Sequence, residues 1–220
     1  MLYHCCTISG SVMGITLPVR LFGAPRLARR ALSFSALAGL LVAAGACSDA
    51  NPYRSVATSE NTERQTPVFA MTGTPIGYAT AYKFTTESLV RPQVLASGTV
   101  NFDIAFDLTA DNKVILYPVR KLVPQPPGGS PVVGLQRSTA SFDAIERAPD
   151  KGFVDDSSMV ISKGEVVLVR LSGSGCIYGD PYYAKMQIDT IMPTERRMIL
   201  RTLVNLNCGY RNLTAGVPKN

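Results

Sequence analysis

Histidine is almost missing from this chain of 220 residues, with His4 the only one. Catalysis by Ser-His-Asp or Cys-His arrangements needs an imidazole base, so those mechanisms have little to build on. Other absences narrow the field further. No G-x-x-x-x-G-K-[ST] run accompanies Gly128 and Gly129, so they form no phosphate loop. No C-x-x-C pair is present, and Asp155, Asp156, Ser157 and Ser158 lack the spacing of an EF-hand, which leaves them as a polar loop. After residue 47 no stretch repeats its apolar residues every 3.6 positions over a helix length, and no internal repeat is visible. Acids are absent from the first 48 residues; Asp49 is the first.

What the first 48 residues do contain is organised. Arg20, Arg26, Arg29 and Arg30 precede an uncharged apolar stretch from Ala31 to Ala46. That run falls short of the roughly 20 residues needed to span a bilayer, and polar sequence follows it. A basic region, an apolar core and small residues at the end form a secretory signal. The sequence Ala44-Gly45-Ala46-Cys47 resembles a lipobox, with Ala44 where Leu is usual. The expectation is a bacterial lipoprotein: residues 1–46 a cleaved signal peptide, Cys47 lipidated, and residues 47–65 a Ser/Thr/Asn-rich tether. A single domain over 66–220 follows. Cys5, Cys6 and His4 have no place in such a signal, and Met13 is the more economical start. The address is the cell envelope, with Ser48 compatible with the outer membrane, on its periplasmic or surface face.

Removing the leader changes the charge. Four of the 22 Lys and Arg lie before Cys47, leaving 18 against 16 Asp and Glu, or +2. No basic stripe remains to hold nucleic acid. It also takes His4 with it. The cysteines left beyond the anchor are Cys176 and Cys208, an even pair in an oxidising compartment, hence an expected disulfide.

Strand patterns fill the domain. Tyr182–Ile191 and Arg197–Leu206 alternate apolar and polar residues around Met192-Pro193-Thr194-Glu195-Arg196. Pairing Ile188 with Leu200 and Ala184 with Val204 gathers both apolar sets on one face, whereas a slip of one residue splits them. This register carries Cys208 close to Cys176, and closing that loop stabilises by about 3–4 kcal/mol. From Thr99 to Leu108, Val100, Phe102, Ile104, Phe106 and Leu108 alternate with polar or small residues, predicting one buried and one wet face. Asp103 and Asp107 share the wet face about 13 Å apart, too far for a carboxylate dyad. Lys113–Val119 returns as a strand until Pro118 disturbs it, and Pro124–Pro131 is a loop. Val166-Val167-Leu168-Val169 is apolar on both faces and predicts a central strand. Val68–Gly73 and Ile76–Phe84 are expected strands broken at Gly73-Thr74-Pro75, and Ser141–Ile145 is a short strand or a helical turn. The fold class is all-β, an antiparallel sandwich or barrel-like domain.

Phe102-Asp103-Ile104-Ala105-Phe106 resembles the Trp-Asp-Ile-Ala-Phe signature of HmuY-type haem-binding lipoproteins, with Phe in place of Trp. Phe142-Asp-Ala-Ile145, Ala148-Pro149 and Phe153-Val-Asp155-Asp156 are similar to that family's spaced Phe, Pro and Phe-x-x-Asp. Tyr183-Ala184-Lys185-Met186-Gln187-Ile188 is similar to its Tyr-Ala-Lys strand. The resemblance spans roughly residues 66 to 206. It implies an all-β envelope lipoprotein that grips haem or another planar tetrapyrrole. Haem iron takes His, Met, Cys thiolate or Tyr, and no histidine remains after residue 47. Among Met71, Met159, Met186, Met192 and Met198, the alternation assigns Met186 and Met198 to the core. Met159 sits in a polar segment and is the foremost candidate ligand contact. Tyr178, Tyr182 and Tyr183, beside Cys176, form a second candidate contact surface.

The leading expectation is therefore a non-enzymatic binding lipoprotein with haem as the named ligand. The alternative is an assembly-accessory lipoprotein that docks on another envelope protein.

Overall fold

The computed structural model describes residues 56–123, 130–173 and 175–218. The expected signal peptide, the expected lipidation site Cys47, residues 47–55 of the expected tether and the Pro124–Gly129 part of the proline-rich loop lie outside the described residues.

Among the described residues, eleven antiparallel strands form two sheets. One contains β1 (Glu63–Phe69), β11 (Arg197–Asn205), β10 (Tyr182–Met192), β9 (Val166–Ser172), β6 (Val132–Ser138) and β7 (Val154–Asp155), in that spatial order. The other runs β3 (Ser88–Val90), β2 (Ala81–Lys83), β4 (Ile104–Leu108), β5 (Val114–Pro118) and β8 (Met159–Ile161). A single helical turn, α1 (Val119–Leu122), follows Pro118, whose ring ends the strand. The fold is the expected all-β sandwich.

The apolar residues of each strand dictate how the sheets meet. Ile104, Phe106 and Leu108 of β4 and Val114 and Leu116 of β5 point into the inner core. They meet Val167, Val169 and Leu171 of β9, Ala184, Met186 and Ile188 of β10, and Met198 and Leu200 of β11. Met186 and Met198 are core residues, as the alternation requires. The β10–β11 register is the expected one, Ala184 opposite Val204 and Ile188 opposite Leu200, with a bulge between Ile188 and Thr190. The bulge absorbs Asp189 and keeps Ile191 opposite Met198 at the hairpin tip.

The six-stranded sheet is covered on its other side as well. Val166 and Leu168 of β9, Tyr183 of β10 and Leu203 of β11 lie beneath Phe142, Ile145, Ala148 and Leu213. This explains why β9 is apolar on both faces. Ser141–Ile145 is a turn rather than a strand, closed by Ala144 N–H donating to Ser141 O at 3.1 Å. Ala148 N–H donates to Arg211 O and Leu213 N–H to Glu146 O, both at 2.7 Å, binding this cover to the C-terminal segment. Inside it Lys185 is only 4% exposed. Its ammonium donates to Phe142 O at 2.7 Å and Ile145 O at 2.9 Å and lies 4.5 Å from the centre of the Phe142 ring. Burial lowers the Lys185 pKa, while Asp143 and Glu63 partly restore it.

Three expectations change. β1 begins at Glu63, so sheet pairing starts before residue 66, within the stretch read as tether. Even earlier, Thr58 and Ser59 N–H donate to Asn207 Oδ1, and Asn61 pairs with Gly216. Polar composition there serves an edge strand and an asparagine network. Second, the strand expected over Ile76–Phe84 is limited to Ala81–Lys83, because the chain leaves β1 at Ala70 and crosses to the other sheet. Ala70 N–H donates to Arg196 O, whereas Met71 N–H donates to Phe106 O of the facing sheet. Third, the strand expected over Thr99–Leu108 forms only from Ile104, and its expected wet face is partly sealed, with Ala105 buried and Asp107 half-buried. Asp103 is 2% exposed and accepts from Phe84 N–H at 2.7 Å. Burial pushes its carboxyl up to about 6, against the pull of the Phe84 and Thr85 amides and of Lys83.

Candidate functional site

The sandwich has two ends, joined by the β10–β11 hairpin. At one, the Cys176 and Cys208 sulfurs stand at disulfide distance, 2.07 Å. Gly209 N–H donates to Pro181 O at 3.0 Å, tying the cysteine segments together at the base of the hairpin. Asn205 Nδ2 donates to Tyr210 O and Asn212 O, and its Oδ1 accepts from Asn207. Asn207 in turn holds Thr58 and Ser59, and Asn61 donates to Asn212 O and Thr214 O. The N-terminal segment thus joins the domain here.

At the other end, the hairpin tip meets the loop that leaves β1. Arg196, in the left-handed region at φ 52°, donates from Nε to Thr72 O at 2.9 Å. Its Nη2 donates to Asp107 Oδ1 at 3.0 Å and to Leu108 O at 3.3 Å. Asp107 also accepts from Thr72 N–H and Oγ1. Gly73, at φ 78°, lets the chain turn here; a Cβ would lie 3.3 Å from Arg196 Nε. The Thr74 hydroxyl donates to Ala70 O, and Tyr78 N–H to Pro75 O. Tyr78 packs on Phe69, ring centres 4.4 Å apart.

The braced loop stands out from the surface. Ile76 is 99% exposed, and Tyr78, Val94 and Leu95 are also exposed. Two open grooves flank the loop. One, of about 280 Å³, lies between Met71, Ile76, Tyr78 and the Arg91–Gln93 segment. The other, of about 370 Å³, lies between Phe69, Gly73 and the Thr194–Arg197 tip. Arg91 is exposed at the rim of the first.

The candidate contact residues from the sequence do not meet. Met159 is half-buried on β8, opposite Leu116, and packs on the inner core. Tyr182 packs on the inner core, its hydroxyl 4.0 Å from Cys208 Sγ. Its neighbour Tyr183 points to the other side of the sheet, buried in the outer cluster 6.1 Å from the Phe153 ring. Tyr178 is exposed on the cysteine loop. Alternation along β10 separates Tyr182 from Tyr183, so no common surface forms. Asp155 is held by Arg170 at 2.9 and 3.0 Å, and Asp156 accepts from Val133 N–H. Among the described residues no group of three or more His, Cys, Asp or Glu is placed to hold a metal ion.

Sequence reasoning missed Ile76, Tyr78, Arg91 and Arg196 as a unit. Gly73-Thr74-Pro75 was the available signal, since a break followed by unpaired apolar residues marks a presented loop. No protein-family model, curated protein or solved structure matches this chain.

Proposed function

We propose that the chain is an envelope-anchored lipoprotein whose work is non-enzymatic binding through the Thr74–Tyr78 loop, and that its occupant is a segment of another envelope protein. The observation that carries this reading is the placement of that loop. The N-terminal segment joins at the cysteine end, whereas β1 delivers the chain to the exposed loop at the opposite end. A tether at the N-terminus therefore attaches at the end opposite the loop and leaves the loop uncovered by the anchor. Ile76 projects from the loop fully exposed, as an apolar side chain does where a protein docks. The grooves beside it are open, whereas small-molecule sites bury most of the ligand's surface.

The non-enzymatic part of the proposal is supported by the carboxylates. Asp107, Asp155, Glu165 and Glu63 are each paired with an arginine, and Asp103 is sealed in the interior.

The test is photo-crosslinking from position 76 in intact cell envelopes. The expected result is a discrete crosslinked protein that an Arg196→Ala chain captures less. Crosslinks spread evenly over many envelope proteins would overturn protein docking.

A second reading, motivated by the family resemblance, puts a tetrapyrrole at the smaller groove, where Met71 or Tyr78 would hold the iron and Arg91 would pair with a carboxylate. Haemin titration separates the two. A saturable Soret shift lost in a Met71→Ala, Tyr78→Phe double variant favours the tetrapyrrole, and no such shift favours protein docking.

A further inference from the structure

We infer that the cysteine end of the domain seats on the bilayer surface, with Ile177 and Tyr178 entering the lipid headgroup region. The inference rests on the proposed anchoring at Cys47, and adds to it a second, non-covalent contact between protein and membrane. Ile177 is 93% exposed and Tyr178 73% exposed, side by side on the loop that Cys176 joins to Cys208. Two further exposed apolar residues belong to the same end. Val56 precedes Thr58, which is bound to Asn207, the neighbour of Cys208. Val217 follows Gly216, which pairs with Asn61. Exposed apolar side chains thus occur on each of the segments that meet at this end.

Chain length selects the occupant. Ten residues lie between Cys47 and Thr58, eleven steps of the chain with a reach of at most about 40 Å. A lipid at Cys47 limits how far Thr58 can stand from the membrane to about 40 Å, so the cysteine end is the end the anchor holds. Tethering makes the second contact intramolecular, so a weak surface contact suffices to orient the domain. Tyrosine suits this place, with an apolar ring and a hydroxyl that stays wet. The cysteine pair fixes the loop, so little conformational entropy is lost on contact. The charges at this end are of both signs, with Arg211 beside Asp150 and Asp180 near Gly209. The contact is therefore apolar and interfacial and does not require anionic lipid.

The chain contains no tryptophan, so single reporters can be placed without background. Full-length protein carrying Tyr178→Trp or Ile76→Trp, both at exposed positions, is expressed, purified with its lipid and reconstituted into phosphatidylethanolamine–phosphatidylglycerol vesicles containing brominated lipid. Mass spectrometry of the Cys47 peptide reports the anchor separately. The expected outcome is a lipid-modified Cys47 and several-fold stronger quenching at position 178 than at 76, reduced by an added Ile177→Ser. Equal quenching at the two positions on lipidated protein overturns the seat and leaves the anchor standing. An unmodified Cys47 overturns the anchor, and the seat with it.

Discussion

The two ends of the β10–β11 hairpin are held in opposite ways. At the cysteine end a covalent pair and a set of asparagines secure the chain, and the polar groups mostly satisfy one another. At the tip end a single guanidinium, Arg196, gathers Thr72 O, Leu108 O and the Asp107 carboxylate. Covalent and amide bracing does not depend on charge, whereas the Arg196 junction does. The difference suits one end to permanence and makes the other the end that salt and a single substitution can loosen.

Breaking the covalent brace gives the largest expected effect. Cys176→Ser with Cys208→Ser should lower unfolding free energy by about 3–4 kcal/mol, read by urea denaturation. The tip should keep its native protection from amide exchange while the cysteine loop loses it.

A smaller change of up to about 3 kcal/mol comes from Asp103. Its folded-state pKa, about 6, lies above the unfolded value, so the native state binds the extra proton. That contribution is complete below about pH 4 and is lost as pH rises through about 6. Asp103→Asn should flatten the pH dependence of thermal stability between pH 4 and 7. An unchanged slope would place the titration elsewhere.

At the tip, Arg196→Ala should cost about 1.5–3 kcal/mol, since it removes hydrogen bonds to a carboxylate and two carbonyls. Amide exchange should accelerate through 71–78, and high salt should weaken the wild-type protein more than this variant.

Ile76→Ser should change stability by less than about 0.5 kcal/mol, because a fully exposed side chain has nothing to lose on folding. Under the proposed docking role its effect falls on crosslinking from the loop and not on stability. A large stability loss would show that the loop packs on the body.

Period-two patterns made much of this fold legible. The register of β10 with β11, the double-sided burial of β9 and the Cys176–Cys208 pair all follow from residues that must share a face. What was not legible depends on partners remote in sequence. Asp103 looks like a solvated position on its own strand. It is buried because the Phe84 turn, 19 residues earlier, supplies a donor. Met159 sits in polar sequence yet packs on the core because β8 pairs with β5. The Thr74–Tyr78 loop was visible only as a break, since nothing local states that Arg196, more than 120 residues away, closes it.

The route of the chain through β1 has a mechanical consequence. Thr58 lies at one end and Ile76 at the other, joined directly by a strand that is already extended over Glu63–Phe69. Tension applied between these two points is transmitted along the covalent backbone of that strand, about 23 Å with almost no slack. The two-layer core stands beside the line of force, not within it. A load between the two ends would therefore strain the β1–β11 ladder last along its length, while the packed interior remains largely unloaded.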